Sequence, residues 1–225
     1  MPYQIMLSAK ILNMCYHHLM DFEKERMEVA ATMARLYERT LTTATGGNVS
    51  ARAGDVMLIT PSGKDKASLK AEDIAVVDIA TGCQIGTSWR LSIESEMHRS
   101  IYLKTDAKAV VHSHPTFASL YSALDETIDT HIIAETYYLL DEVVKVPYEL
   151  MGTRELAEKV STYACKAHAL LLENHGALTT GVTLLSAFDR MEVLEQAARL
   201  TYLSKSFGKL NDINGDRLTA IAAMR

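Results

Sequence analysis

The chain has 225 residues, 48% of them hydrophobic and 23% charged, with a formal net charge of -5. That length is enough for one substantial core and makes a single domain the expectation. An acidic balance with no basic stripe argues against a nucleic-acid binder built on phosphate contacts. The three cysteines, Cys15, Cys83 and Cys165, are far apart and odd in number. They argue against a disulfide framework or a thiolate zinc site and for a reducing, cytoplasmic compartment. No apolar run of 18 residues occurs, so no membrane helix is expected. Lys10 interrupts the apolar first twenty residues without a small-residue cleavage site, so no signal peptide is expected either.

Residues 1–19 read as an N-terminal extension, compatible with a short amphipathic helix, and 20–225 as the compact domain. Phe22, Arg26, Val29, Met33 and Leu36 recur at helical spacing, which predicts a helix to about Leu41. Thr45-Gly46-Gly47-Asn48-Val49-Ser50 stops it. Adjacent glycines allow positive φ and close approach of backbone to a ligand, although a plain helix-ending turn has the same look. Asp55–Thr60 reads as a buried strand ended by Pro61-Ser62-Gly63, and Ile74–Ile79 as a second. The Thr81-Gly82 turn makes a hairpin of that second strand with 83–87. Ser92 is placed to cap a helix over Ile93–Leu103, on which Glu94, His98 and Tyr102 share a face.

Ala109-Val110-Val111-His112-Ser113-His114-Pro115 follows. On a strand, positions i and i+2 face the same way, so His112 and His114 project side by side, and Pro115 ends the ladder. A helix over Thr116–Leu124 comes next, then a mixed stretch with a strand at Thr130–Ala134 and a short helix. Val143–Pro147 reads as a strand, and Thr153–Cys165 as a helix with Thr153 as N-cap and Glu155 complementing its dipole. His168–Glu173 is a buried strand with Asn174-His175-Gly176 at its end, and Thr179–Gly181 a turn. Thr183 caps a long helix to about Ser206, and a last helix is expected near Arg217–Met224.

Three histidines at strand ends, His112, His114 and His175, suit an open metal site, because three neutral ligands leave the ion positive and partly uncoordinated. Glu94 is then a candidate general acid/base, with His98 holding it in place. Gly47, Asn48, Ser62, Gly63 and Ser92 offer amide, hydroxyl and backbone N–H donors for a phosphate cradle. His17, His18, His131 and His168 read as exposed or satisfied residues. Taken singly, each candidate is also an ordinary turn or surface residue. Their joint placement at loops and strand ends, where function concentrates, favours a site.

Five segments occur in order: T-G-G-N-V-S-A-R at 45–52, L-I-T-P-S-G at 58–63, E-x-x-x-H-x-x-x-Y at 94–102, A-V-V-H-S-H-P at 109–115 and L-L-x-N-H-G at 171–176. Together they resemble the class II aldolase/adducin family over about residues 21–205. The resemblance implies a three-layer α/β/α fold with a central, mostly antiparallel sheet, in a homotetramer with a zinc site between subunits; manganese or cobalt are alternatives. It makes His112, His114 and His175 the ligands, Glu94 the acid/base, and Gly47, Asn48, Ser62, Gly63 and Ser92 the holders of a phosphate. The implied reaction is cleavage of a ketose 1-phosphate, such as L-fuculose 1-phosphate, to dihydroxyacetone phosphate and an aldehyde.

Two departures bear on the substrate. Ile93 stands where the sugar-phosphate aldolases of the family carry a serine, and Ile132-Ile133 where an aldehyde-side tyrosine is expected, with Tyr137 and Tyr138 just beyond. A smaller aldehyde, as from a 5-deoxypentulose 1-phosphate, fits that change. The pentulose-5-phosphate 4-epimerases of the family tend to have Asp at the place of Glu94. Its dehydratases and decarboxylases share the metal site. Adducin-like scaffolds tend to lose the ligands that this chain keeps.

Overall fold

The computed structural model describes residues 22–86, 89–211 and 213–225. The 1–19 extension and the domain start at Met20 lie outside these, as does residue 87 of the expected hairpin. The described elements are α1 (Glu23–Glu38), β1 (Asn48–Ala53), β2 (Val56–Ile59), β3 (Ala75–Asp78), β4 (Gln84–Ile85), α2 (Ser95–Lys104), β5 (Ala109–Ser113) and α3 (Thr116–Ala123). They continue with α4 (Ala134–Leu140), β6 (Val143–Val146), α5 (Arg154–Ala164), β7 (Ala169–Leu172), β8 (Gly176–Gly181), α6 (Leu184–Phe207) and α7 (Gly215–Ala222).

The eight strands form one sheet in the order β4-β3-β2-β1-β5-β8-β7-β6. Neighbours are antiparallel except for the β6–β7 pair, which is parallel. Side chains alternate between the two faces, as the pleat requires. Val49, Leu58, Val76, Val111 and Leu171 face Val29, Met33 and Leu36 of α1 and Phe188, Met191 and Leu194 of α6. Met57, Ile59, Val77, Val110, Leu170 and Leu178 face Met97 and Ile101 of α2 and Leu156 and Val160 of α5. Helices thus cover both faces of the sheet. No helix among the described residues is long and apolar enough to cross a membrane.

Two expected caps form. Thr153 Oγ1 accepts the Leu156 N–H, and Thr183 Oγ1 accepts that of Ser186. Helix α3 is capped from another part of the chain instead. The Glu195 carboxylate of α6 accepts the Phe117 N–H at 2.9 and 3.0 Å and the Ala118 N–H at 2.8 Å. Pro115, at the N-cap, supplies no side-chain bond.

Four local expectations are corrected. The run read as a turn after α1, whether helix-ending or ligand-approaching, contributes Asn48, Val49 and Ser50 to β1, because these residues pair with β5 at the sheet centre. The turn expected at Thr179–Gly181 is the second half of β8, held between β5 and β7. No strand forms over Thr130–Ala134. Thr130 Oγ1 donates to the Asp141 carbonyl and Thr136 Oγ1 to that of Thr130, folding the stretch onto α4. Ser92 does not cap a helix from Ile93. Helix α2 starts at Ser95, and Ser92 Oγ accepts the Glu94 N–H at 3.3 Å.

Candidate active site

Strand register builds the site. In the β1–β5 pairing Asn48 lies opposite His112, and β8 flanks the other side of β5 with Ala177 opposite Ser113. His112 follows Val110 on the α2/α5 face of the sheet, fully buried. Its Nδ1 donates to the Ala177 carbonyl at 2.9 Å, because a carbonyl can only accept. That fixes the ring so that Nε2 points to the strand end. His114, beyond the last residue of β5, has its ring centroid 4.9 Å from that of His112. His175 sits in the three-residue turn between β7 and β8, with its centroid 4.8 Å from His112 and 5.5 Å from His114.

Two glycines make this approach possible. A Cβ on Gly47, whose φ is +64°, would lie 2.7 Å from the His112 carbonyl oxygen. One on Gly176 would lie 2.5 Å from His114 Cδ2.

The three rings offer ligand nitrogens that all lie within 4.8 Å of one another, a group that could hold a metal ion. Glu94 arrives from the start of α2. Its Oε2 is 3.2 Å from His112 Nε2 and its Oε1 3.0 Å from His175 Nε2. Asn48 Nδ2 fixes the carboxylate, donating to Glu94 Oε2 at 2.8 Å and to Ser92 Oγ at 3.0 Å. Burial works to raise the Glu94 carboxyl pKa, but His112, His175 and the Asn48 amide outweigh it and hold the group below the usual carboxylate range. Burial works to lower His112, and the Glu94 carboxylate raises it. Burial, with His112 and His175 alongside, pushes His114 down to about 4, so its ring is neutral at pH 7.

His112 Nε2 and Glu94 Oε1 are buried atoms without a hydrogen-bond partner. A ring nitrogen whose other nitrogen already donates is left with a bare lone pair, which a cation held by the three rings would satisfy. Three imidazole nitrogens with room beside them fit a borderline-soft divalent ion such as zinc at an open site.

A cavity of about 400 Å³ opens from this group. Of the expected phosphate holders, Gly47, Asn48, Ser62 and Ser92 line it. Gly63 is exposed with φ +73° and does not line the wall. Ile93 contributes an apolar side chain to the rim. His98, expected to hold Glu94, bonds elsewhere. Its Nδ1 is 2.7 Å from Ser50 Oγ, which is also 2.7 Å from Tyr102 Oη. Burial takes His98 down to about 3, so that trio is neutral. Tyr137 and Tyr138 face the C-terminal segment. The Arg225 guanidinium lies over the Tyr137 ring at 4.6 Å, and Tyr138 Oη donates to the Met224 carbonyl. His131 packs on Tyr137 and His168 bonds to Thr180 Oγ1, as satisfied residues.

Lys66, Asn174 and Met151 also line the cavity, unforeseen from the sequence. Asn174 has a signal of a kind, since asparagine tolerates the left-handed φ of 52° that the tight turn requires. Lys66 has none, because a lysine in a polar loop reads as solvated.

Residues 27–202 match the family model described as Class II Aldolase and Adducin N-terminal domain. A protein of Methanococcus vannielii named L-fuculose phosphate aldolase is 38% identical over 175 residues, covering 77% of this chain and 93% of its own. A 3-oxo-tetronate 4-phosphate decarboxylase of Haemophilus influenzae is 35% identical, covering 74% and 81%. A 5-deoxy-D-ribulose 1-phosphate aldolase of Bacillus thuringiensis serovar kurstaki is 30% identical over 208 residues, covering 90% and 96%. Among solved structures, an L-fuculose 1-phosphate aldolase superposes with a TM-score of 0.80 at 31% identity, covering 88% of this chain and 94% of that one.

Proposed function

The chain belongs to the class II aldolase and adducin family, and on that footing we propose that it is a metal-dependent aldehyde-lyase acting on a ketose 1-phosphate. The products are dihydroxyacetone phosphate and an aldehyde, the substrate being L-fuculose 1-phosphate or a related deoxyketose 1-phosphate. The observation that carries this reading is the Glu94 carboxylate, 3.0 and 3.2 Å from two of three converging imidazoles at the mouth of a cavity.

His112, His114 and His175 hold the ion, zinc by preference and manganese or cobalt as alternatives. When bound, the metal supplies a Lewis acid for the negative charge that develops on the substrate oxygens. Glu94, oriented by the Asn48 amide, removes the proton from the carbon that becomes nucleophilic in condensation and returns it there in cleavage. Gly47, Asn48, Ser62 and Ser92, which line the cavity, take the phosphate, which ties the reacting carbons to one position relative to the carboxylate.

Beside the cavity, Ile93, Leu150 and Met151 are 49%, 59% and 55% exposed. Apolar side chains so exposed at a site's rim support a homotetramer in which another copy covers them, within a three-layer α/β/α protomer. Exposed free thiols at Cys83 and Cys165 support a cytoplasmic setting. The Bacillus relative, aligned over 90% of this chain, supports a deoxyketose substrate. The Haemophilus relative favours a second reading, decarboxylation of a 3-oxo acid 4-phosphate at the same centre.

The test is a screen of the metal-supplemented protein against ketose 1-phosphates, pentulose 5-phosphates and 3-oxo acid 4-phosphates, with product identification. Release of dihydroxyacetone phosphate supports the aldolase. Carbon dioxide release, or 4-epimer formation without cleavage, replaces it. Absence of a stoichiometric ion points to a scaffold.

A further inference from the structure

Two lysines follow β2 two residues apart, and they live differently. Lys64 pairs with Asp73 and lies over the Trp89 ring at 3.4 Å. Lys66 is 1% exposed, and among the described residues it has no carboxylate partner. Its ammonium makes one protein hydrogen bond, donating to the Pro61 carbonyl at 2.6 Å. Its amide N–H donates to the Ala44 carbonyl at 2.9 Å, joining the loop after β2 to the loop before β1. Those two loops carry Ser62 and Gly47, and Lys66 lines the same cavity as both.

An ammonium out of water without a counter-charge is costly, so such groups are paired or become neutral. Burial pushes Lys66 down to about 8, with no acidic neighbour to restore it. Of its three N–H donors one is used by Pro61, which leaves two for a ligand. The other donors of the wall (hydroxyls and amides) are neutral, and Ile93 offers none. A neutral cradle binds a dianion less tightly than one with a cation in it.

We propose that Lys66 is the charged member of this subsite and a specificity-determining residue, selecting phosphate monoesters over uncharged sugars. The proposal rests on the sugar-phosphate reading above and adds the source of its charge selectivity. Bound phosphate neutralises Lys66, and the Pro61 carbonyl holds the ammonium in the meantime.

The experiment compares wild type, K66Q and K66R, each loaded with metal, by calorimetric titration with inorganic phosphate and, separately, with acetohydroxamate, a phosphate-free metal chelator. Glutamine keeps a donor for the Pro61 carbonyl and removes the charge. K66Q is expected to bind phosphate roughly 10- to 100-fold more weakly, the scale of one charge-assisted hydrogen bond. K66R is expected to retain phosphate binding, and acetohydroxamate affinity should be the same in all three.

Wild-type phosphate affinity in K66Q overturns the proposal. So does equal loss of both ligands, which makes Lys66 a strut, and so does a wild type that binds no phosphate. If phosphate binding depends on Lys66 but no ketose phosphate is cleaved, the lyase reading fails and this assignment stands. If K66Q does not fold, the Lys66 13Cε signal of wild type, assigned by its loss in K66R, decides. It should move with phosphate and not with chloride at equal ionic strength, and an unmoved signal overturns the assignment.

Discussion

Glu195→Ala removes the only side-chain cap described at the start of α3, and the structure sets the size of the effect. Two amide donors, Phe117 N–H and Ala118 N–H, lose a carboxylate acceptor. Hydrogen bonds to charged groups contribute about 1.5–3 kcal/mol each, and loss of an N-cap costs about 0.5–2 kcal/mol. Two terms reduce the sum. Burial raises the Glu195 pKa against its hydrogen bonds, so part of the gain already goes to desolvating the carboxylate. Thr116 is exposed, so water can reach the freed first turn. The net loss expected is about 2 kcal/mol, a fall in Tm of roughly 4–8 °C for a chain of this size. Because α3 begins directly after His114-Pro115, the loss should also loosen one ligand and weaken metal binding. Glu195→Gln, which keeps one acceptor oxygen, should fall between. Urea unfolding followed by circular dichroism, with metal content measured in parallel, provides the test. A Glu195→Ala protein within about 0.5 kcal/mol of wild type would refute the capping argument, since that is the range of an indifferent surface change.

Three further outcomes are expected. His114→Ala should lose its stoichiometric ion and its activity together, and full activity in the metal-free variant would remove His114 from the site. Glu94→Gln should keep the ion and lose about 10²- to 10⁴-fold in kcat, the usual contribution of a positioned acid/base. Loss of the ion instead, seen by elemental analysis, would make Glu94 a ligand. Asp73 governs an acid limb. Burial works to raise its pKa, but Lys64 and the Lys70 N–H hold it below 3.8. Its contribution to stability is therefore complete above about pH 4 and disappears as pH falls through the depressed folded value. Denaturation midpoints measured from pH 5 to pH 2 should fall less steeply in Asp73→Asn than in wild type.

Elements with a single loud cue were legible in the sequence. The runs V-M-L-I, A-V-V-H-S and A-L-L-L are strands, and Thr153 and Thr183 begin helices. The two strands that flank β5, β1 and β8, reading N-V-S-A-R-A and G-A-L-T-T-G, lack that cue. Small and polar residues fit there because the backbones must pass close to the histidines, and tertiary pairing supplies what propensity does not. The β-branched run at 130–134 shows the reverse, since local side-chain-to-backbone bonds from Thr130 and Thr136 win over its strand preference. At the site, the convergence of His112, His114, His175 and Glu94 was legible because their residue types stand out in the sequence. The role of Asn48 in orienting Glu94, the Ser50–His98–Tyr102 trio and the burial of Lys66 all depend on contacts between residues 46 or more apart or on loop packing. No local pattern encodes those.

The three imidazoles are anchored unequally. His112 is woven into the middle of the sheet, paired on both sides and tied to the Ala177 carbonyl, so it can shift only if several strands separate. His175 hangs on a three-residue bend whose one left-handed residue, Asn174, is exposed. On the proposed metal reading this makes one fixed jaw and one looser one: exchange of the ion is expected to proceed through movement of His175, with His112 keeping its place in the sheet.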